Sequence, residues 1–182
     1  RLTNDPAFSY TPDNNAWCVA ASGNVVHVVW YDNRDGNREI YYKRSTDGGV
    51  SWGTDTRLTN NSALSELPSV AVSGLEVHVV WHDARDGNRE IYYKRSLDGG
   101  VNWEADKRIT DNAEVSQLPS VSVYGQVVSV VWQDNRDGNE EIYYNRSTNG
   151  GASWGADTRI SNAPGNSFSP SVSVSGLFVH IV

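Results

Sequence analysis

Val28–Ser45 reads VVWYDNRDGNREIYYKRS, Val79–Ser96 reads VVWHDARDGNREIYYKRS and Val130–Ser147 reads VVWQDNRDGNEEIYYNRS. The second copy differs from the first at two of these 18 positions and the third at three, and the spacing between copies is 51 residues. A repeat of this length marks one supersecondary unit that cannot bury its own apolar face and stacks on its neighbours. It also constrains chemistry. A reaction centre needs different residues converging on one point, and near-identical copies supply the same residues again.

Working outward, each unit divides into four short strand-like runs separated by turn signals. In the second unit the first run is Leu67–Ser73, where Val70 and Val72 alternate with small Ser69, Ala71 and Ser73. Small residues on one strand face let several copies crowd around a central axis. The second run, Glu76–Asp83, is apolar on both faces, as a strand sandwiched between sheets must be. The turn at Asp86–Asn88 leads into the third run, Arg89–Arg95, and Asp-Gly between two such runs is a strong hairpin signal. A further turn at Asp98–Gly100 precedes Trp103 and a short outer run, Asp106–Thr110.

No stretch shows a helical period, so the fold class is all-β. Units of about 50 residues with four antiparallel strands predict β-propeller blades. The predicted organisation is one partial propeller over residues 1–182, about three and a half blades: an outer strand at 1–4, blades at about 16–60, 67–111 and 118–162, and the start of a fourth at 169–182. Leu2 to Trp17 spans 15 residues where Leu58–Pro68, Ile109–Pro119 and Ile160–Pro170 each span 10. The first inter-blade loop is therefore expected to carry five extra residues, around Pro6–Thr11. Propellers close with about 4–8 blades. The expectation is a piece of a longer repeat protein, or copies that self-associate to complete the ring.

The chain has a formal charge of −7, seven Trp, nine Tyr and no Met. Its 15 basic residues form no run, which disfavours a nucleic-acid partner. No apolar run is long enough to insert across a membrane. Cys18 is alone, so an intrachain disulfide is excluded, and it falls in the register of Ser69, Ser120 and Ser171, as a small buried residue would. His27, His78 and His180 share one strand position with Ser129, a pattern of interface packing rather than metal binding. Asp32, Asp35, Asn37 and Glu39 cluster oxygens around a glycine, but their spacing does not fit a calcium loop and an arginine intrudes. No metal or cofactor is expected.

The turn after the third run has the form S-x-D-x-G-x-x-W: Ser45, Asp47, Gly49 and Trp52; Ser96, Asp98, Gly100 and Trp103; Ser147, Asn149, Gly151 and Trp154. This resembles the Asp-box, or BNR repeat, of sialidase-like β-propellers, and the resemblance covers essentially the whole chain. The carboxylate suits a structural role, accepting hydrogen bonds from turn amides while glycine permits positive φ. Asn149 keeps an acceptor and loses the charge, which fits. The resemblance implies that these turns lie away from the ligand face, which the opposite turns border.

Those opposite turns present Trp30, Asp32 and Arg34, then Trp81, Asp83 and Arg85, then Trp132, Asp134 and Arg136. A planar aromatic beside carboxylate and guanidinium suits a sugar; the competing reading is a Trp filling the gap between blades with Asp and Arg paired. The resemblance also implies, for true sialidases, an arginine trio, a tyrosine nucleophile with a carboxylate partner and an acidic proton donor. The three arginines here are equivalent by repeat and would lie around a ring, so no catalytic residue is assigned. The expected function is a non-catalytic, secreted or surface-exposed module binding glycan or protein through the Trp/Asp/Arg turns. A hydrolase fragment and a purely structural spacer are the alternatives.

Overall fold

The computed structural model describes residues 2–11, 17–176 and 178–182. No α-helix occurs among them. The second unit is a four-stranded antiparallel sheet of β6 (Ser65–Ser73), β7 (Glu76–Asp83), β8 (Glu90–Ser96) and β9 (Lys107–Arg108) in sequential order. The third repeats it with β10 (Ser116–Tyr124), β11 (Val127–Asp134), β12 (Glu141–Ser147) and β13 (Thr158–Arg159). The first unit comprises β1 (Ser9–Tyr10), β2 (Val19–Ser22), β3 (Val25–Asp32), β4 (Glu39–Ser45) and β5 (Thr56–Arg57). A two-stranded sheet, β14 (Val172–Ser175) and β15 (Phe178–Ile181), begins a fourth. These are propeller blades, and the ring they trace is open.

The double-sided apolar strand does what its pattern implies. Val29, Ile40, Tyr42 and Leu58 of the first blade pack on Val70, Val79, Trp81 and Tyr92 of the second. The other side of that blade, Val80, Ile91 and Tyr93, meets Val121, Val130, Trp132 and Tyr143 of the third. Each fully buried aliphatic side chain stabilises the stack by about 2 kcal/mol. Small residues on the innermost strands do more than save space. Ser69 Oγ accepts from Val121 N at 3.2 Å, and Ser120 Oγ from Val172 N at 3.2 Å, stitching neighbouring inner strands together. Cys18 occupies the same register and is buried, which pushes its thiol up to about 12.

Histidines at the shared position hold the joint: His27 Nδ1 and Tyr42 Oη lie 2.7 Å apart, as do His78 Nδ1 and Tyr93 Oη. Tyr42 and Tyr93 then meet Trp103 and Trp154 of the next blade edge-on, at 4.9 and 5.0 Å. Gly100 has φ +83°, and a Cβ there would overlap the Tyr42 hydroxyl and come within 2.6 Å of its Cζ. Glycine is required twice over at that position.

Two expectations about the N-terminal segment change. No strand forms at 2–4, residue 1 lying outside the described set, although Lys43 Nζ donates to Leu2 O at 2.7 Å much as Lys94 Nζ donates to Leu58 O at 2.6 Å. The extra residues are also elsewhere than expected. Ser9 pairs with Asp32 as Ser65 pairs with Asp83 and Ser116 with Asp134. Ser9 follows Leu2 by seven residues, as Ser65 follows Leu58. Pro6–Tyr10 is thus the normal link, and the surplus falls between Tyr10 and Trp17, mostly on 12–16, outside the described residues. The expected Pro6–Thr11 location followed from aligning Trp17 with the recurrent proline rather than Ser9 with Ser65.

Candidate functional site

Antiparallel order puts the S-x-D-x-G-x-x-W turns at one end of every sheet and the Asp-Gly turns, with the openings of the inner strands, at the other. At the first end, Ser96 Oγ accepts from Gly100 N at 2.8 Å and Asp98 Oδ1 from Asn102 N at 2.8 Å. The first copy matches, with Ser45 Oγ accepting from Gly49 N and Asp47 Oδ1 from Ser51 N, both at 2.8 Å. In the third, Asn149 Oδ1 accepts from Ser153 N at 2.9 Å, so the amide replaces the carboxylate. Trp52 Nε1 donates to Gly49 O at 3.1 Å, closing its own turn.

At the other end the expected sugar-binding trio has a different geometry from the one its composition suggests. Trp81 and Trp132 are fully buried and Trp30 is 3% exposed, so none offers an open ring face. Asp83 is also buried; it accepts from Trp81 Nε1 at 2.9 Å, Ser65 Oγ at 2.8 Å and the Arg85 guanidinium at 2.6 and 2.9 Å. Burial opposes its charge, yet these donors hold the carboxyl below the usual range. Arg85 is bound again by Asp106 at 2.8 Å and lies 4.3 Å above the Tyr92 ring. Asp32 with Arg34 and Asp55, and Asp134 with Arg136 and Asp157, repeat the pattern. The stacking role expected of Trp30, Trp81 and Trp132 is corrected by their burial. They, with Asp32, Asp83 and Asp134, form a brace, and only the arginine edges reach solvent.

A second brace went unread in the sequence. Glu39, Glu90 and Glu141 are fully buried. Glu90 accepts from Arg108 and Asn88 at 3.0 Å, from Asn112 N at 3.1 Å, and from Thr110 Oγ1. The same Asn, Arg and loop amide meet Glu39 and Glu141. Arginine therefore occupies the place that the rejected calcium reading gave to a cation. Among the described residues no group of three or more His, Cys, Asp or Glu side chains could hold a metal ion. No helix among them is long and apolar enough to cross a membrane. Tyr41, Tyr92 and Tyr143 donate to Asp35, Asp86 and Asp137; burial first and the carboxylate second push each phenol up, Tyr143 to about 12.

Of the four positions that differ among the 18-residue copies, three lie at this end: Tyr31/His82/Gln133, Asn33/Ala84/Asn135 and Arg38/Arg89/Glu140. The opposite end varies too, as at Thr46/Leu97/Thr148 and Gly53/Glu104/Gly155. Tyr10 pairs across the strands with Tyr31, Glu66 with His82 and Gln117 with Gln133, all one residue from the Ser–Asp corner, which is buried in the second and third blades. Between blades, Arg38 is ion-paired with Glu66, and Arg89 donates to Gln117 at 3.0 Å while approaching Glu66 at 3.9 Å. His82 Nε2 lies 3.4 Å from Glu66 Oε2. Contacts from His82 and Arg38 hold the Glu66 carboxyl down to about 2 against its burial, while desolvation lowers His82 despite Glu66. Arg38 and Arg89 side chains remain 44% and 46% exposed. The result is a polar ladder crossing three blades at the mouth of the arc. Just beyond it Leu67 and Leu118 adopt φ +53° and +55°, at the register shifts of β6 and β10. Such strain persists where the surroundings over-determine it and is common at binding edges. The signal was available in the sequence: two of the differences among the 18-residue copies are Tyr31/His82/Gln133 and Arg38/Arg89/Glu140.

No protein-family model and no curated protein matches the chain. Solved structures do. A Trypanosoma rangeli sialidase in complex with 2,3-difluorosialic acid superposes with TM-score 0.64 at 13% identity over 96% of this chain and 36% of its own. A mutant of that sialidase displaying trans-sialidase activity gives 0.63 at 14% identity, over 97% and 36%. NanB sialidase from Streptococcus pneumoniae, as a mutant, gives 0.51 at 16%, over 75% and 21%. The chain thus has the sialidase β-propeller fold and spans about a third or less of these structures' length.

Proposed function

We propose that the chain is a non-catalytic propeller module, extracellular or at a cell surface, that binds glycan on the face formed by the Asp-Gly turns and the mouths of the inner strands. The observation that carries this reading is the partly exposed set of aromatic, guanidinium and amide groups on that face, Tyr10, Arg38, Arg89 and Gln117 among them. Three of the four positions that differ among the 18-residue copies also lie there. Binding surfaces diversify while the scaffold beneath stays fixed. The chemistry of the repeats argues in the same direction. Arg34, Arg85 and Arg136 are each held by two carboxylates. A guanidinium so engaged has few donors left to grip a substrate carboxylate.

The fold of the sialidases favours a second reading, a piece of a glycoside hydrolase. Its strongest local support is the recurring phenol–carboxylate pair, Tyr92 with Asp86, beside Arg108. The raised phenols oppose nucleophilic use. Two measurements separate the readings. Incubation with a fluorogenic sialoside is expected to release no fluorophore, and a printed glycan array is expected to retain the chain. Turnover of the sialoside that is lost in Tyr92→Phe would establish the hydrolase reading, and an array without bound glycan would remove the binding one. Within the binding reading, Arg85→Ala is expected to lower the melting temperature while leaving array binding per folded molecule unchanged, because Arg85 braces the turn. A selective loss of binding would restore the Trp/Asp/Arg turn as the contact surface.

A further inference from the structure

Three aromatic rings line up where the arc begins. Phe8 and Tyr10 have centroids 6.0 Å apart, and Tyr10 stacks on Tyr31 at 5.2 Å with 15° between planes. Phe8 is 69% exposed and Tyr10 36%. In register, the later copies place Leu64, Val115 and Asn166 at the position of Phe8, and Glu66, Gln117 and Phe168 at that of Tyr10. The full row therefore belongs to one blade. The repeat scaffold does not demand it, since the second and third blades build the same corner without it.

The rim of the row is polar. The Arg38 guanidinium lies 5.7 Å from the Tyr10 centroid and 5.8 Å from that of Tyr31, and its side chain is nearly half exposed. Exposed Asn33 reaches Phe8 from the adjoining turn, its Oδ1 accepting from Phe8 N at 3.2 Å. Although Tyr10 and Tyr31 turn one face to each other, the row leaves exposed aromatic surface, chiefly on Phe8 and Tyr10, with donors at its edge. This suits a pyranose, with its C–H face and belt of hydroxyls. Rigid aromatics also provide contact area at low entropic cost.

We propose that Phe8, Tyr10 and Tyr31, edged by Arg38 and Asn33, form a platform for an uncharged hexose unit of a glycan. This rests on the glycan-binding reading above and adds to it a place and a ligand class. Charge selects the class. Arg38 is already paired with Glu66, whose carboxyl is held near 2 and stays ionised at neutral pH. A ligand carboxylate would have to compete with Glu66 for the same donors while facing its charge, on a chain of formal charge −7. A neutral hydroxyl can share the guanidinium without displacing anything.

The test uses the whole chain, with neutral and acidic glycans printed side by side, followed by calorimetric titration of the best neutral oligosaccharide. Neutral hexosides are expected to bind in preference to acidic ones. Tyr10→Ala and Phe8→Ala are each expected to weaken binding about tenfold, the scale of one lost aromatic face. Tyr10→Phe, which keeps the ring, is expected to stay within about twofold by the same reasoning. Leu97→Ala, on the opposite end of the sheet, serves as the control and is expected to change nothing. Melting temperatures of the Phe8 and Leu97 variants should stay close to the parent, since Phe8 is largely and Leu97 half exposed. Binding that survives Tyr10→Ala and Phe8→Ala would overturn the platform while leaving a glycan-binding module in place. Preference for acidic glycans would overturn the ligand class, and an array with no bound glycan would remove the module reading together with the platform.

Discussion

The Asp83–Asn88 turn and the Ser65–Glu66 opening of the inner strand share one corner of the second blade, bonded through Ser65 Oγ and Asp83 at 2.8 Å. The repeat treats them in opposite ways. Asp83, Arg85, Asp86, Gly87 and Asn88 recur unchanged in all three copies, whereas Glu66 and His82 become Tyr10 and Tyr31 in the first blade and Gln117 and Gln133 in the third. The unchanged carboxylate is buried and saturated; around the changed pairs, guanidinium and aromatic groups reach solvent. Repetition marks the load shared between blades, while variation marks the ladder beside it, in which Glu66, His82 and Gln133 are buried and Tyr10, Arg38 and Arg89 reach solvent. A search for chemistry among the most regular residues finds the scaffold first.

That contrast is most exposed to attack at a glycine. Gly100 and Gly49 occupy the same motif position with φ +83° and +90°, but Gly100, like Gly151, receives a tyrosine from the preceding blade, whereas Gly49 has Trp52 as its neighbour, at 3.7 Å. Gly100→Ala is therefore expected to cost about 3–5 kcal/mol, combining overpacking with left-handed strain. Gly49→Ala carries the strain alone, about 1–2 kcal/mol. Urea unfolding of both variants decides the matter. Equal losses would mean that the blade joint contributes nothing, and that the repeat is conserved for its turn alone.

Much of this could be read before any coordinates. Three copies at a fixed spacing gave the blades, and the bounds of Glu76–Asp83 as a strand agree residue for residue with β7. The site was less legible. Residue type suggested that Trp81 stacks on a sugar, but a period-two pattern in a strand apolar on both faces cannot say which side chains a neighbouring blade covers. Burial of Trp81 is a property of the stack. The displaced insertion was legible in the sequence, since LTNDPAFS at 2–9 aligns with LTNNSALS at 58–65 and marks Ser9 as the counterpart of Ser65; the pairing of Ser9 with Asp32 confirms it.

The buried glutamates give an intermediate test of the scaffold side. Glu90→Gln keeps the shape of the side chain but sets an amide donor against Arg108, Asn88 and the Asn112 amide. The loss expected is about 2–3 kcal/mol, typical of a buried charged acceptor whose donors are left without a partner. Chemical denaturation measures it. The equivalent change on the variable side, Gln117→Glu, brings a carboxylate to Arg89 at the half-buried rim and is expected to shift stability by less than about 1 kcal/mol. If the two substitutions cost the same, the division between brace and rim is wrong.

The smallest effect should come from the one scaffold position where the protein has already made the substitution. Asp98 accepts from the Asn102 amide and side chain and from Ser96, and these bonds hold its carboxyl down to about 2. Its folded value lies below the ordinary one, so the bonds stabilise the native state above about pH 4, and that contribution disappears as pH falls toward 2. Asn149 makes the corresponding backbone contact without a charge, at 2.9 Å. Asp98→Asn should then melt slightly below the parent at pH 7, with the two curves converging as pH is lowered to 2. Carboxylates common to both chains, Glu66 among them, cancel in the difference. Curves that stay parallel throughout the acid range would show that the turn draws nothing from the charge. Its recurring aspartate would then be as replaceable everywhere as it is in the third blade.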